Sequence, residues 1–384
     1  MNWFSGLRER RTIAGRATRL VFGVAAVSVM VLGVTGAGVG AAAADTVIDT
    51  IPVGSEPIGV AVSPFGSRAY VTNNIGGTVS VVDTVTNTVV DTIPVGNAPF
   101  GVAVSPLGAR VYVTNQSDGT VSVINTFTNA VVDTIAVGAA PSGVAVSPLG
   151  ARVYVSNVSD GTVSVINTFT NSVVDTIVVG ATPAGVAVSP LGSHIFVANS
   201  GDGTVSVIDA FTNTVVDTIP VGADPFGVAV NPDGSRVYVV NLADGTVSVI
   251  NTFTNTVIDT VTVGNLPRGV AVTPSGARAY VTNRPDGTVS VIDTLSNTVV
   301  DTIPVGNAPF GVAVNRDGSR VYVTNTGDGT VSVIAVEKCP GSLCFGTGSL
   351  AGAGAGSTGS GGSSGTGSFA GAGAGAGSAG STSS

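Results

Sequence analysis

GVAVSPLGARVYVTNQSDGTVSVINTFTNAVVDTIAVGAAP, Gly101 to Pro141, is the stretch whose reading decides the fold. It holds four runs, Gly101 to Ser105, Arg110 to Asn115, Thr120 to Asn125 and Ala130 to Val137, in which Val, Ile, Thr and Tyr dominate, as pleated strands require. Turn signals separate them: Pro106-Leu107-Gly108, Asp118-Gly119, Thr126 to Asn129, and Gly138 to Pro141. Asp-Gly between two such runs is a strong hairpin signal. The unit therefore predicts four antiparallel strands joined by tight connections.

Working outward, the same unit recurs every 42 residues without insertion or deletion. Its marker tetrad YVTN, or a near variant, stands at Tyr70 to Asn73, Tyr112 to Asn115, Tyr154 to Asn157, Phe196 to Asn199, Tyr238 to Asn241, Tyr280 to Asn283 and Tyr322 to Asn325. A fixed period of this length filled with short strands marks a propeller blade or a solenoid coil. Several runs are apolar at successive positions, so their sheets must be covered on both faces, which either architecture provides. The ends decide between them. The block opens on a fourth strand, Thr46 to Val53, and finishes on a third, Thr330 to Ala335, so the leading strand can complete the last blade and close the ring. Closure removes the sheet edges that an open array would expose. The expectation is an all-β, seven-bladed β-propeller over residues 45–338, with four antiparallel strands per blade.

Two segments of other composition flank that block. Residues 1–44 carry Arg8, Arg10, Arg11, Arg16 and Arg19, then an apolar run from Leu20 to about Gly40, then Ala41 to Ala44. That order is the pattern of a secretory signal peptide with cleavage near Ala44. At about 20 residues the run is also long enough for an uncleaved anchor. The residues after Arg10 and Arg11 fit a twin-arginine signal poorly. Cys339 and Cys344, in the 339–345 loop CPGSLC, are expected to form a disulfide in an exported protein. Two thiols without a neighbouring His are too few for a metal site. Residues 346–384 are almost all Gly, Ala and Ser and are expected to stay unfolded.

The whole chain has 15 basic and 23 acidic side chains, a net charge of −8. Without the five arginines and Glu9 of residues 1–44, the remainder holds 10 basic and 22 acidic groups, a charge of −12. Such a Lys-poor acidic surface argues against nucleic acid, whose binding rests on cationic contacts to phosphate. A cell-envelope protein, a glycan or a small molecule suits it better. A monomer is expected, touching a membrane only through its export signal.

The recurring YVTN, followed by DGTVSVID, NTVVDTIPVG and P-x-GVAV, resembles the YVTN family of β-propeller repeats from about Asp45 to Ala335. It does not resemble the WD type, for the only Trp is Trp3 and the only His is His194. The resemblance implies the propeller fold and an exported or surface setting. It does not settle an activity, because its members include surface-layer proteins and relatives of streptogramin lyases and sugar lactonases. A non-enzymatic binding scaffold is the primary expectation and a lyase or lactonase at the channel mouth the alternative.

Within this chain the copies differ mainly in two sets of loops that should share one face, here termed the upper face. After the loop proline come Ile58, Phe100, Ser142, Ala184, Phe226, Arg268 and Phe310. Variable loops on a rigid repeated frame are where such proteins usually bind, and they are also where sequence drift is simply tolerated. Blade 6 alone brings basic residues into these loops, Arg268 and Arg284, and with Phe226, Phe100, Phe310 and Glu56 they form the expected ligand site. Two guanidinium groups there suit a carboxylate or sugar acid.

The remaining repeated polar residues read as structural. Asp118, Asp160, Asp202, Asp244, Asp286 and Asp328 precede a Gly as turn formers. The tetrad Asn residues read as hydrogen-bonding elements. The fourth-strand Asp series from Asp49 to Asp301 and the second-strand series from Arg68 to Arg320 read as edge charges or repeated ion pairs. His194 takes an Arg position in that second series, away from the mouth. No phosphate-cradling loop, Ser-His-Asp set or haem-attachment motif occurs, so neither a catalytic residue nor a cofactor is assigned.

Overall fold

The computed structural model describes residues 44–337. The expected signal segment, the Cys339–Cys344 disulfide and the tail lie outside the described residues, apart from Ala44. Seven four-stranded antiparallel sheets form the propeller. Blade 1 runs through Pro57–Val62, Arg68–Asn73, Thr78–Asp83 and Thr88–Pro94, from the inner strand at the axis to the outer edge. Blade 7 takes Pro309–Val314, Arg320–Asn325 and Thr330–Ala335 from the end of the block and Thr46–Pro52 from its start. Thr46 pairs with Ala335 and Pro52 with Thr330, so the ring closes as the sequence predicts.

Alternation along the second strand explains the tetrad. Tyr70 packs with Val79, Val81 and Ile93 of its own blade against Val111, Val113 and Ile124 of blade 2. Val71 points the other way, into the cluster that holds Tyr322 and Val333 of blade 7. Successive strand side chains face opposite sides of a sheet, so a buried blade needs large apolar groups at consecutive positions. The core is thus seven inter-blade seams around an axis.

Asn73, fully buried, accepts the Gly54 amide at 3.0 Å through Oδ1 and donates through Nδ2 to Thr78 Oγ1 and Ser80 Oγ. It therefore ties the loop entering blade 1 to the third strand of the same blade. Asn115, Asn157, Asn199, Asn241, Asn283 and Asn325 repeat the pattern. The Asp-Gly carboxylates do more than form turns. Asp118 accepts the Asn97 amide at 2.6 Å and its Nδ2 at 2.8 Å, and the other five likewise hold the backbone amide of the loop ahead of their own blade.

Repeated Asp–Arg ion pairs do not form. Among the described residues the salt bridge is Arg278 to Asp45. Instead six of the seven outer-strand Asp residues, all but Asp301, reach the 3–4 turn of the following blade, as Asn87 Nδ2 donates to Asp49 Oδ2 at 2.9 Å. The same bond joins Asn129 to Asp91 and Asn171 to Asp133. The physical reason is reach, because Arg68 lies in register with the third-strand Asp83, one strand inside the outer edge.

Candidate functional site

Each inner strand carries a one-residue irregularity directly after its loop proline. In blade 1 Pro57 pairs with Asn73 and Val60 with Val71, leaving Ile58 and Gly59 bulged. Bulges re-aim side chains, and here the re-aimed residue in each blade is the variable one. The seven x-Gly-Val triplets line a cavity of about 220 Å³ at the upper mouth of the channel.

The glycine of each triplet is required by the close approach of neighbouring inner strands. A Cβ on Gly185 would sit 2.2 Å from the Phe226 carbonyl oxygen, and one on Gly101 would sit 2.3 Å from that of Ser142. Beside each glycine the tetrad's third residue acts as a bracket. Thr72 Oγ1 accepts the Gly59 amide and donates to the Phe100 carbonyl of the next blade, both at 2.8 Å. Thr114, Ser156, Thr282 and Thr324 tether Ser142, Ala184, Phe310 and Ile58 in the same way. Ala198 and Val240 have no hydroxyl. The two mouth residues left without this tether are therefore Phe226 and Arg268.

Phe100, Phe226 and Phe310 converge on the axis as a triangle of edge-to-face rings, with centroids 5.5 to 6.3 Å apart. Such geometry is favoured by the ring quadrupoles. The Arg268 guanidinium lies 4.9 Å from the Phe226 centroid and 5.4 Å from that of Phe310. Cation–π attraction holds it there. Its Nε is buried without a hydrogen-bond partner. Burial lowers the Arg268 pKa, the Arg284 charge lowers it further, and the Asp224 carboxylate acts in the opposite direction. Asp224 itself accepts a hydrogen bond from the Ser200 hydroxyl.

The structure thus brings together Arg268, Phe226, Phe100 and Phe310, with Arg284 close enough to act on Arg268 through its charge. Glu56 does not join them. It is exposed and does not line the mouth cavity. Its backbone has φ of 51° and its carbonyl accepts the Asn74 amide at 2.9 Å. Ser142, Ala184 and Ile58 are buried and complete the lining of the mouth. Asp224 and the unbracketed positions Ala198 and Val240 belong to the site's surroundings. The departures from YVTN at Phe196 to Asn199 and Tyr238 to Asn241 were the sequence signal for the latter two.

A larger polar crevice of about 470 Å³ opens on the opposite face beside Asn231, Asp233, Arg236, Ser275 and Thr294. There the Arg236 guanidinium is already engaged by the Thr294 carbonyl and by Asn297 Oδ1. His194, on the second strand of blade 4, has its Nδ1 3.0 Å from the Ser193 hydroxyl. Among the described residues no group of three or more His, Cys, Asp or Glu converges.

Comparison with known proteins adds a family. The family model described as a lactonase, seven-bladed β-propeller, matches residues 128–343, more than half of the chain. No curated protein sequence matches significantly. Among solved structures, Kuenenia stuttgartiensis hydrazine synthase is similar at 25% identity and a TM-score of 0.67, covering 73% of this chain and 96% of that one.

Proposed function

Because the chain belongs to the lactonase family of seven-bladed β-propellers, we propose that it binds small carboxylate-bearing molecules, sugar acids foremost, at the upper mouth without turning them over. The observation that carries this reading is Arg268, resting on two phenylalanine rings at the mouth with its Nε unpartnered, and within range of the Arg284 charge. Like charges within range repel, and an anion bound there relieves that repulsion while giving the Arg268 Nε an acceptor. The aromatic triangle supplies an apolar floor for the carbon skeleton. The pattern of residues 1–44 and the acidic remainder of the chain support an exported, cell-envelope setting and a monomer.

The test is isothermal titration of the full chain with gluconate, glucuronate and their neutral parent sugars. Binding of the acids alone, lost in Arg268→Ala/Arg284→Ala, supports the reading. Equal binding by that double variant overturns it.

A second reading, lactone hydrolysis, is favoured by the family match and by the presence of Asp224 beside Arg268. Here Asp224 would direct water at the lactone carbonyl while Arg268 stabilises the developing oxyanion. Turnover of sugar lactones that disappears in Asp224→Asn, with acid binding retained, would establish it over simple binding.

A further inference from the structure

We propose that the lower face of the propeller is a lipid-docking surface. The 1–2 loops and 3–4 turns both emerge there, because strands alternate in direction from the axis outward. In blades 2 to 4 the loops present Leu107, Leu149 and Leu191, and the turns present Phe127, Phe169 and Phe211. Each of these six is at least 82% exposed. The loops touch one another around the ring: a Cβ on Gly150 would lie 3.4 Å from Pro106, and one on Gly192 would lie 3.2 Å from Pro148. The leucines therefore sit on a continuous crown.

Nothing in the local geometry calls for these side chains. In the turn of blade 2, Asn125 Oδ1 accepts the Phe127 amide and Asn129 supplies the left-handed residue at φ 50°. Any residue with a backbone N–H at 127 would close that turn. The equivalent loop positions in blades 5 to 7 are Asp233, Ser275 and Asp317, so the ring of 1–2 loops is apolar on one side and polar on the other, while the 3–4 turns stay apolar as far as Phe253 and Leu295 of blades 5 and 6. Contiguous exposed apolar surface of this kind marks an interaction site.

The placement of the chain end favours lipid as the occupant. Asp45 lies on this same lower face, where the Glu337 amide donates to its carboxylate. Four residues, Ala41 to Ala44, separate it from the apolar run Leu20 to Gly40. Four extended residues reach at most about 14 Å. Whenever that run occupies a bilayer, as signal or as anchor, the lower rim at Asp45, beside Arg278 and Glu337, lies within that reach of the lipid surface. Within the loops and turns of blades 2 to 4 the charged side chains are Arg110, Arg152 and Asp209, so the patch has little net charge. The nearby outer-strand Asp91 and Asp133 are held by Asn129 and Asn171. Exposed Phe and Leu insert at the boundary of headgroup and acyl chain through their apolar area, so zwitterionic lipid is the matching surface.

The test places a single fluorophore on each face of the full chain. In a Trp3→Phe background, Phe169→Trp reports from the lower crown and Ser117→Trp from an upper loop. Both are mixed with phosphatidylcholine vesicles carrying bromine on their acyl chains. Blue-shifted emission quenched several-fold in the Phe169→Trp protein, with the Ser117→Trp protein unchanged, is the expected result. Equal quenching of both reporters, or of neither in vesicle-bound protein, overturns the proposal. So does a blue shift in the Phe169→Trp protein that grows with protein concentration without lipid, which would assign the face to a second copy.

Discussion

Arg278 and Asp45, 233 positions apart in the chain, meet at 2.9 Å where the ring closes. The Arg278 Nη1 donates to both carboxylate oxygens, the Tyr280 hydroxyl donates to Oδ2 at 2.7 Å, and the Glu337 amide donates to Oδ1. Desolvation and then the Asp45 carboxylate push the Tyr280 hydroxyl well above its ordinary range. Burial works against the Arg278 charge, yet Asp45 raises its pKa. In blades 3, 5 and 7 the same Arg position reaches an Asn side chain, at 3.3 to 3.4 Å, and in blades 5 and 7 also a turn carbonyl, but no carboxylate. Asp45 occupies that Asn's place at the one blade whose 3–4 connection is absent. A charge pair with a buried carboxylate thus stands where the covalent turn is missing.

Asp45→Ala should therefore destabilise the propeller by about 3 kcal/mol, since it strands the Tyr280 hydroxyl, the Glu337 amide and a half-buried guanidinium. Asp45→Asn, which restores the side chain used elsewhere, should cost clearly less. Urea unfolding of the full chain measures both. Equal losses would mean that the charge, more than the hydrogen-bond network, closes the ring.

The inner glycines permit a sharper contrast. Gly185→Ala drives a Cβ to 2.2 Å from the Phe226 carbonyl, a backbone atom that cannot turn away. The expected cost is about 3 kcal/mol, from forced separation of blades 4 and 5. Gly66→Ala meets nothing within 4 Å and suffers only its φ of 73°, about 1 kcal/mol. Thermal unfolding should rank them in that order, and a reversed order would contradict the tight packing of the inner strands.

Val240→Thr adds a hydroxyl within a nearly unchanged shape at a fully buried position. If it reaches the Arg268 carbonyl as Thr72 reaches that of Phe100, stability should rise by about 1 kcal/mol. A stranded hydroxyl would lower it by a similar amount. The crystal structure of the variant distinguishes a made tether from a strained one. The same tether should slow ligand entry at the mouth if the freedom of Arg268 serves binding.

Much of the fold could be read directly from the chain because its causes are local and repeated. Asp-Gly at Asp118 fixes a hairpin, alternation at Tyr112 and Val113 fixes two buried faces, and the strand surplus at Thr46 fixes closure. The site was legible only in part. Phe100, Phe226 and Phe310 were identifiable as variable, but their convergence depends on bulges and on ring geometry that no single repeat displays. Arg268 and Arg284 share a blade and are easily joined, whereas Glu56, expected on the same rim, belongs to a loop whose backbone serves the frame. Asp45 is not legible in the sequence because its equivalence to Asn87 exists only after the ring has closed. The second-strand Arg series and outer-strand Asp series matched in number but not in position, so counting charges suggested pairs that the register forbids.

The loop clamps predict how the propeller responds to acid. Hydrogen bonds from the Asn97 backbone and side chain lower the Asp118 pKa from 3.8, and the Asn265 side chain and backbone do the same for Asp286. A carboxyl depressed in the folded state contributes stability that is fully present above its unfolded pKa. For these two groups that contribution is lost as pH falls through 3.8 toward the lower folded values. Asn97→Ala/Asn265→Ala removes the side-chain donors but leaves the backbone amides. This double variant should be less stable than the parent at pH 7, and the gap should narrow by pH 3 as protonation weakens the clamps in both proteins. Urea midpoints measured at pH 7, 4 and 3 check it. A gap that stays constant over that range would show that the asparagines act through packing and not through the carboxylates.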